Sequence, residues 1–319
     1  MPLSEFELIR KYFSKSTNKT PDIICGIGDD AAVVSVPHGM ELVLSMDTLI
    51  AGVHFPVACS PQDIGYKALA VNLSDLAAMG AEPRWVTLAL TMPENDETWL
   101  GKFMEGFNEL AQQFNLDLIG GDLTRGPLSI TIQVHGFNFT GKSIYRYGAQ
   151  TGDLIYVSGT LGDAGLALSL LEDQSLFKNK YHEYLTQRLN RPVPRIDLGL
   201  ALRDIASSAI DISDGLLADL EHILTASHKG AIVKVDQLPL SDALNEYKTE
   251  NVIDVVLASG DDYELCFTVP PGRRPEIDRM NSVDCQLGCI GTVTEQPGIQ
   301  WLQSDNKPYT PAGRAYAHF

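Results

Sequence analysis

Aspartates accompanied by glycine, serine or asparagine recur at five places: Gly28-Asp29-Asp30, Ser45-Met46-Asp47, Asn72-x-x-Asp75, Gly120-Gly121-Asp122 and Asp211-x-x-Asp214-Gly215. Most fall where an apolar run ends or a helix begins. Carboxylate and hydroxyl oxygens in such positions hold divalent cations. The neighbouring glycines let backbone amides approach phosphate oxygens. The chemistry this pattern points to is phosphoryl transfer from a magnesium-bound nucleotide.

Each motif has a plainer reading. Gly28-Asp29-Asp30 can be a tight turn whose aspartates cap backbone amides. Asp47 follows the apolar run Leu42–Leu44, so its carboxylate needs either a metal or a helix N-terminus as partner. Ser45 can add a hydroxyl oxygen. Asn72 and Asp75 are three apart and share one face of a helix, and almost all their neighbours between Lys67 and Gly80 are small and apolar. A surface helix would carry more Lys and Glu on its wet side, so this pair is expected in an interior site. Gly120-Gly121-Asp122 is either a plain turn or a close approach to a ligand. Ser213 or Asp214 can be the N-cap of a following helix, and a helix N-terminus also favours phosphate. His54 follows Asp47 closely and can line the same pocket.

The elements that must position these residues alternate between helix and strand, which indicates an α/β or α+β architecture. Ser4 and Glu7 form a capping-box pattern for a helix running to about Phe13. Strands are expected at Glu41–Asp47, Trp85–Thr91, Leu116–Gly120, Leu128–Phe139, Leu154–Ser158, Ala231–Val235 and Tyr263–Val269. Helices are expected at Pro61–Gly80, Asp96–Phe114, Asp163–Leu171 and Leu216–Ser227. Gly136–Ser143 matches the G-x4-G-K-[ST] phosphate loop, but a helix must follow such a loop. Here Ser143–Tyr147 reads as a strand, so a hairpin with Leu128–Phe139 is expected instead. Arg146 remains a guanidinium suited to phosphate.

A chain of 319 residues exceeds one ordinary core, so two domains are expected, 1–149 and 150–319, divided near Gly148–Asp153. No run of 18 apolar residues exists, and the N-terminus is acidic and polar too early for a signal peptide, so a cytoplasmic, membrane-free protein is expected. A net charge of −17 disfavours nucleic acid and anionic membranes. It also requires local neutralisation of any bound polyphosphate, which magnesium would supply. The five cysteines are odd in number and scattered, and read as reduced thiols.

Taken in order, the blocks Gly26–Ala31, Asp47–Phe55, Lys67–Ala81, Gly120–Pro127, Asp211–Gly215, Gly260–Leu265 and Tyr316-x-His318-Phe319 resemble the thiamine-monophosphate kinase family over essentially the whole chain. The resemblance implies ATP-dependent conversion of thiamine monophosphate to thiamine diphosphate. It also implies the fold of aminoimidazole ribonucleotide synthetase: two α/β domains, with a homodimer formed through the N-terminal sheet. Carried over by position, Asp30, Ser45, Asp47, Asp75, Asp122, Asp211 and Asp214 would hold several Mg²⁺ ions, with Asp47, Asp75 and Asp122 central. Gly121, Asp122, Arg146 and Ser213 would contact ATP, and His54, Asp261 and Tyr316 the thiamine moiety. Three positions depart from the family pattern. Met46 stands for a common threonine, Asp261 for a glutamate, and the Ala312-Gly313 region for a frequent tryptophan.

The absence of a serine-histidine-aspartate spacing agrees with this reading. A phosphate monoester, with its second pKa at about 6, is already a nucleophile and needs no general base. Rival expectations are another ATP-using member of the same superfamily, such as aminoimidazole ribonucleotide synthetase, and a non-catalytic module that binds Mg-nucleotide or thiamine phosphate. Selenophosphate synthetase needs an N-terminal cysteine or selenocysteine on a flexible arm, and here the N-terminus is a capped helix without one.

Overall fold

The computed structural model describes residues 3–14, 20–247, 252–282 and 285–313. By internal contacts the chain forms two compact units. One is Met1–Leu76 with Ala81–Gly141, and the other is Ala77–Gly80 with Lys142–Phe319.

The first unit contains α1 (Glu5–Leu8), β1 (Ile23–Cys25), β2 (Val33–Val34), β3 (Met40–Ile50), α2 (Pro61–Ala78), β4 (Glu82–Met92), α3 (Glu97–Gln113), β5 (Asp117–Arg125) and β6 (Ser129–Phe139). Ser4 and Glu7 do form the capping box at α1, and its helix continues as a π-helical stretch to Phe13. The main sheet has the order β3-β6-β4-β5. β6 is antiparallel to both β3 and β4, while β4 and β5 run parallel. Leu88, Leu90, Ile130, Ile132 and Val134 build the apolar face of the sheet, and all are essentially sealed. On α2, Leu69, Leu73 and Leu76 are fully buried, each contributing about 1.5–3 kcal/mol. Gly65 and Gly106 permit a close helix–helix approach. A Cβ at either would meet a backbone oxygen of the other helix, Phe103 O at 2.0 Å or Gln62 O at 1.8 Å.

The opposite sheet face is largely open. The short β1–β2 ribbon covers one end, where Ile23, Ala32 and Val34 pack on Trp85, Ile119 and Phe137. Towards the β3 edge, Leu42, Leu44, Met46, Ile50 and Phe139 remain 38–61% exposed.

The second unit contains β7 (Leu154–Ser158), α4 (Asp163–Glu172), α5 (His182–Asn190), α6 (Ile196–Ala201), β8 (Ser208–Asp211), α7 (Leu216–Ser227), β9 (Gly230–Lys234), α8 (Asp242–Glu246), α9 (Val252–Ala258), β10 (Leu265–Val269), α10 (Arg274–Met280), β11 (Leu287–Thr294) and β12 (Gly298–Leu302). Its six-stranded sheet has the order β12-β9-β11-β7-β10-β8. Among the described residues of this sheet, only the β12–β9 pair is parallel. β10 is buried at all five positions. One apolar core joins α4, α5 and α7 to the sheet through residues such as Leu170, Leu189, Leu220, Val157 and Val233.

Three expectations need correction. β3 does not stop at Asp47, because Thr48, Leu49 and Ile50 continue the pairing with β6. β5 does not end at Gly120, because it pairs with β4 as far as Arg125. No hairpin joins Ser143–Tyr147 to β6. That segment is irregular, and β6 already has β3 and β4 as its two neighbours. Phe137, Asn138 and Phe139 lie within β6, so the Gly136–Ser143 match is a strand end and not a phosphate loop.

Candidate active site

The first group of site residues lines a cavity of about 700 Å³ inside the first unit. Gly28, Asp29 and Asp30 enter it from the β1–β2 turn, and Gly120, Gly121 and Asp122 from β5. Asp30 and Asp122 are both exposed. Phe6, Ile9, Arg10 and Phe13 of the N-terminal helix form an apolar and cationic side wall. Its size lies in the ordinary range for small-molecule sites.

A bulge aims Asp122 into this cavity. The β4–β5 register shifts between Val86 and Thr87, leaving Ile119 without a direct partner between Leu118 and Gly120. A single extra residue reverses which side chains face each way beyond it. Asp122 therefore shares the open face with its partner Ala89, while Gly121 lies against Leu88 on the helix-covered face. Gly121 has φ 153°, and a Cβ there would lie 1.9 Å from Leu88 O.

A second group occupies the helix-covered face at the other edge of the sheet. Ser45 Oγ donates to Asp75 Oδ2 at 2.5 Å. The Asp47 amide donates to Asn72 Oδ1 at 3.0 Å, and Asn72 Nδ2 donates to Ala68 O. Asn72 is fully buried, whereas Asp47 and Asp75 are half-buried. The expected interior face of α2 is thus present, and it docks on β3. Met46 points to the opposite, open face. His54 lies just beyond β3 in a turn, its Nδ1 accepting from Ile50 N at 3.0 Å.

Asp47 and Asp122 are not neighbours within one chain. Asp47, Ile132, Leu88 and Gly121 form one row across the four strands. With strands about 4.8 Å apart, the outer members of that row are about 14 Å apart. The two carboxylates also project from opposite faces.

The third group belongs to the second unit. Asp211 ends β8 and is nearly buried, and the half-buried Ser213 and Asp214 follow it. Neither Ser213 nor Asp214 caps α7. The N-cap is Gly215, with φ 109° and no side-chain cap. Asp219, inside the first turn, accepts from the amides of Asp214 and Gly215 at 3.1 Å each. Burial pushes the Asp219 carboxyl up to about 7, against those hydrogen bonds. The Gly260–Glu264 loop is tied to this motif. Asp261 N donates to Ser213 O at 2.9 Å, and Tyr263 N to Ile212 O at 2.8 Å. The structure thus joins Asp211, Ser213, Asp214 and Asp261. Arg146 is exposed between Tyr145 and Tyr147, whose rings stack at 4.8 Å. Tyr316 lies outside the described residues.

Among the described residues, no three His, Cys, Asp or Glu side chains come close enough to form a metal cage. Magnesium is ordinarily held by one or two carboxylates plus substrate phosphates and water. The hard oxygen donors of each group fit that mode, as Ser45 with Asp75 illustrates. The five cysteines are free thiols.

Sequence reasoning missed Asp219 and a buried charge set formed by Asp163, Asp262 and Glu264 with Arg188 and Arg195. Asp219 carried a faint signal, an acid in the first turn of an otherwise apolar helix. The arginines carried none, since Arg195 meets a carboxylate 69 positions away.

Residues 28–137 match the N-terminal domain, and residues 150–301 the C-terminal domain, of AIR synthase related proteins. These define the class: a two-domain α/β protein of the AIR synthase-related type. Thiamine-monophosphate kinase of Escherichia coli (strain K12) is 46% identical over 323 aligned residues, covering 100% of this chain and 99% of that protein. The crystal structure of thiamine-monophosphate kinase from Stenotrophomonas maltophilia K279a superposes with a TM-score of 0.88 at 46% identity, covering 97% of this chain and 99% of that one. AaThiL complexed with AMPPCP and TMP superposes with a TM-score of 0.79 at 32% identity, covering 99% and 97%. The chain belongs to the thiamine-monophosphate kinase family.

Proposed function

We propose that this protein transfers the γ-phosphoryl group of ATP directly to the phosphate of thiamine monophosphate, giving thiamine diphosphate. The observation that carries the reading is the joining of glycine-acid motifs around an open cavity, in a chain whose full length matches kinases of that name. A relative's structure with AMPPCP and TMP supports both substrates.

The residues suit a reaction without a general base. The acceptor monoester is already anionic at neutral pH, so the chain must position two polyanions and offset their repulsion. Asp30, Asp122 and the Gly120-Gly121 backbone face the donor cavity. Ser45, Asp47 and Asp75 offer a second set of oxygens, and Asp211 and Asp214 a third. Bound at these oxygens, Mg²⁺ ions would neutralise phosphate charge and align donor and acceptor. Gly121, Asp122, Arg146 and Ser213 contact ATP in this reading, and His54, Asp261 and Tyr316 the thiamine moiety.

We also propose a homodimer built on the first unit's sheet. The exposed apolar strip along β3 is what such a contact would cover. Residence in the cytoplasm fits the described residues, none of whose helices is long and apolar enough to cross a membrane.

The test is an ATP assay with thiamine monophosphate as acceptor. ADP release should require both the acceptor and Mg²⁺, and chelation should abolish it. Asp47→Asn and Asp75→Asn should each lower the rate by several orders of magnitude, on the order of 10³-fold, with near-native folding. Full activity in both variants would remove the metal assignment. Burst labelling of the protein by γ-labelled ATP without acceptor would contradict direct transfer.

A further inference from the structure

Behind the Gly260–Glu264 loop lies a buried charge set that phosphoryl transfer does not use. Asp163, Asp262 and Glu264 are each no more than 1% exposed. Glu264 Oε2 accepts from Arg195 Nε and from Ser158 Oγ, both at 2.6 Å. Its Oε1 accepts from Arg195 Nη2 at 2.6 Å, with Arg188 Nη1 at 3.3 Å. Asp163 accepts from the hydroxyls of Thr160, Tyr184 and Ser241. Asp262 Oδ2 accepts from Gly162 N at 2.8 Å. Burial works against the Arg195 charge, yet the Glu264 carboxylate more than restores it. Burial also drives the Asp262 carboxyl well above its usual range, moving the set towards neutrality.

Such a set is a poor source of stability, because well-packed apolar residues commonly serve as well. It does fix geometry. The loop above it alternates. Asp262 and Glu264 point inward, while Asp261 and Tyr263 stay half-exposed with φ 68° and 49°. A left-handed conformation at a non-glycine residue costs about 1–3 kcal/mol and persists only where surroundings enforce it. Here two buried acids anchor the two strained positions, and the backbone bonds to Ser213 and Ile212 hold the outer side.

We propose that Glu264 is a positioning residue for the acceptor: clamped by Arg195, Arg188 and Ser158, it fixes the left-handed loop that presents the Asp261 carboxylate to the cationic thiazolium end of the substrate. This rests on the kinase reading above, since it is the thiamine moiety that carries the positive charge.

The test is a double-mutant cycle in steady-state kinetics with Glu264→Gln, Asp261→Ala and the pair. Glu264→Gln should raise KM for thiamine monophosphate by about tenfold, the scale of a misplaced contact. KM for ATP and kcat should stay within about threefold of the unmodified enzyme on the same argument. The double variant should be no worse than Asp261→Ala alone, because the two act through one contact. Multiplying effects, an unchanged acceptor KM, or equal losses for both substrates would overturn the positioning role. If circular dichroism shows Glu264→Gln unfolded, the same cycle is run with Ser158→Ala, which leaves the charges in place, and is read identically. An unmodified protein that fails to phosphorylate thiamine monophosphate would instead overturn the functional reading.

Discussion

Gly121 is the residue at which the sheet and the cavity constrain each other most tightly. Its missing side chain allows β5 to lie against Leu88 O while the next residue, Asp122, faces the opening. Gly121→Ala should destabilise the protein by about 2–4 kcal/mol, since the obstacle is backbone and cannot rotate away; thermal unfolding measures this. Arg84 holds Asp22 with Nε and Nη2 at 2.8 and 2.6 Å, and these bonds keep the Asp22 carboxyl below its usual range. A depressed acid stabilises the fold above its unfolded pKa, about 3.9, and loses that contribution as pH falls through the lower folded value. Asp22→Asn should therefore cost about 1 kcal/mol at pH 7. The difference should shrink in acid unfolding curves as pH falls below the unfolded value of about 3.9. At this scale the acids proposed for the site stood out in the sequence because glycine and aspartate in fixed spacing advertise themselves. Asp219 was only faintly so, although its amide partners lie just four and five residues back. Glu264 was not, because its guanidinium and hydroxyl partners are brought from 69 and 106 positions away by the fold.

Among elements, helices with chemical end signals were the most readable. In α3 the expected helix began at Asp96, and the structure makes that residue the N-cap, accepting from Thr98 N and Trp99 N at 2.9 and 3.0 Å. Asp96→Ala should lower stability by about 1 kcal/mol without altering activity, because α3 contributes no site residue; chemical denaturation with a parallel rate assay checks both. The face of α2 bearing Asn72 and Asp75 was legible for a related reason, as polar residues on an otherwise apolar helix must find polar company. Strand ends were less so. β5 runs on through two glycines because β4 supplies partners, and its bulge at Ile119 has no local sequence mark. The extended stretch after Gly141 looked like a strand from its aromatics, but a strand also needs a free neighbouring edge.

For the whole molecule, the two-domain α/β architecture followed from length and alternation, whereas the arrangement of the acids did not. Sheet order, a long-range property, sends Asp47 and Asp122 to opposite edges. The apolar strip along β3 offers one way to test the proposed pairing of copies. Met46→Glu places a charge on that strip, at a position 61% exposed in the single chain. The variant should keep the unfolding temperature of an isolated protomer but elute as a monomer in light-scattering chromatography. Its activity should fall by about tenfold or more, the usual scale for a displaced catalytic geometry. A Met46→Leu control should leave both properties unchanged.

Ala77–Gly80 belongs with the second unit although it lies in the middle of the first along the chain. A Cβ on Gly199 would sit 2.0 Å from Ala77 O, and Arg203 Nε donates to Gly80 O at 2.6 Å. No single scission can therefore separate this polypeptide into two intact halves. A fragment starting at Lys142 would leave Gly199 and Arg203 without their covering, so it should be recovered mainly as insoluble material. Adding back a synthetic peptide spanning residues 61–81 should improve its solubility.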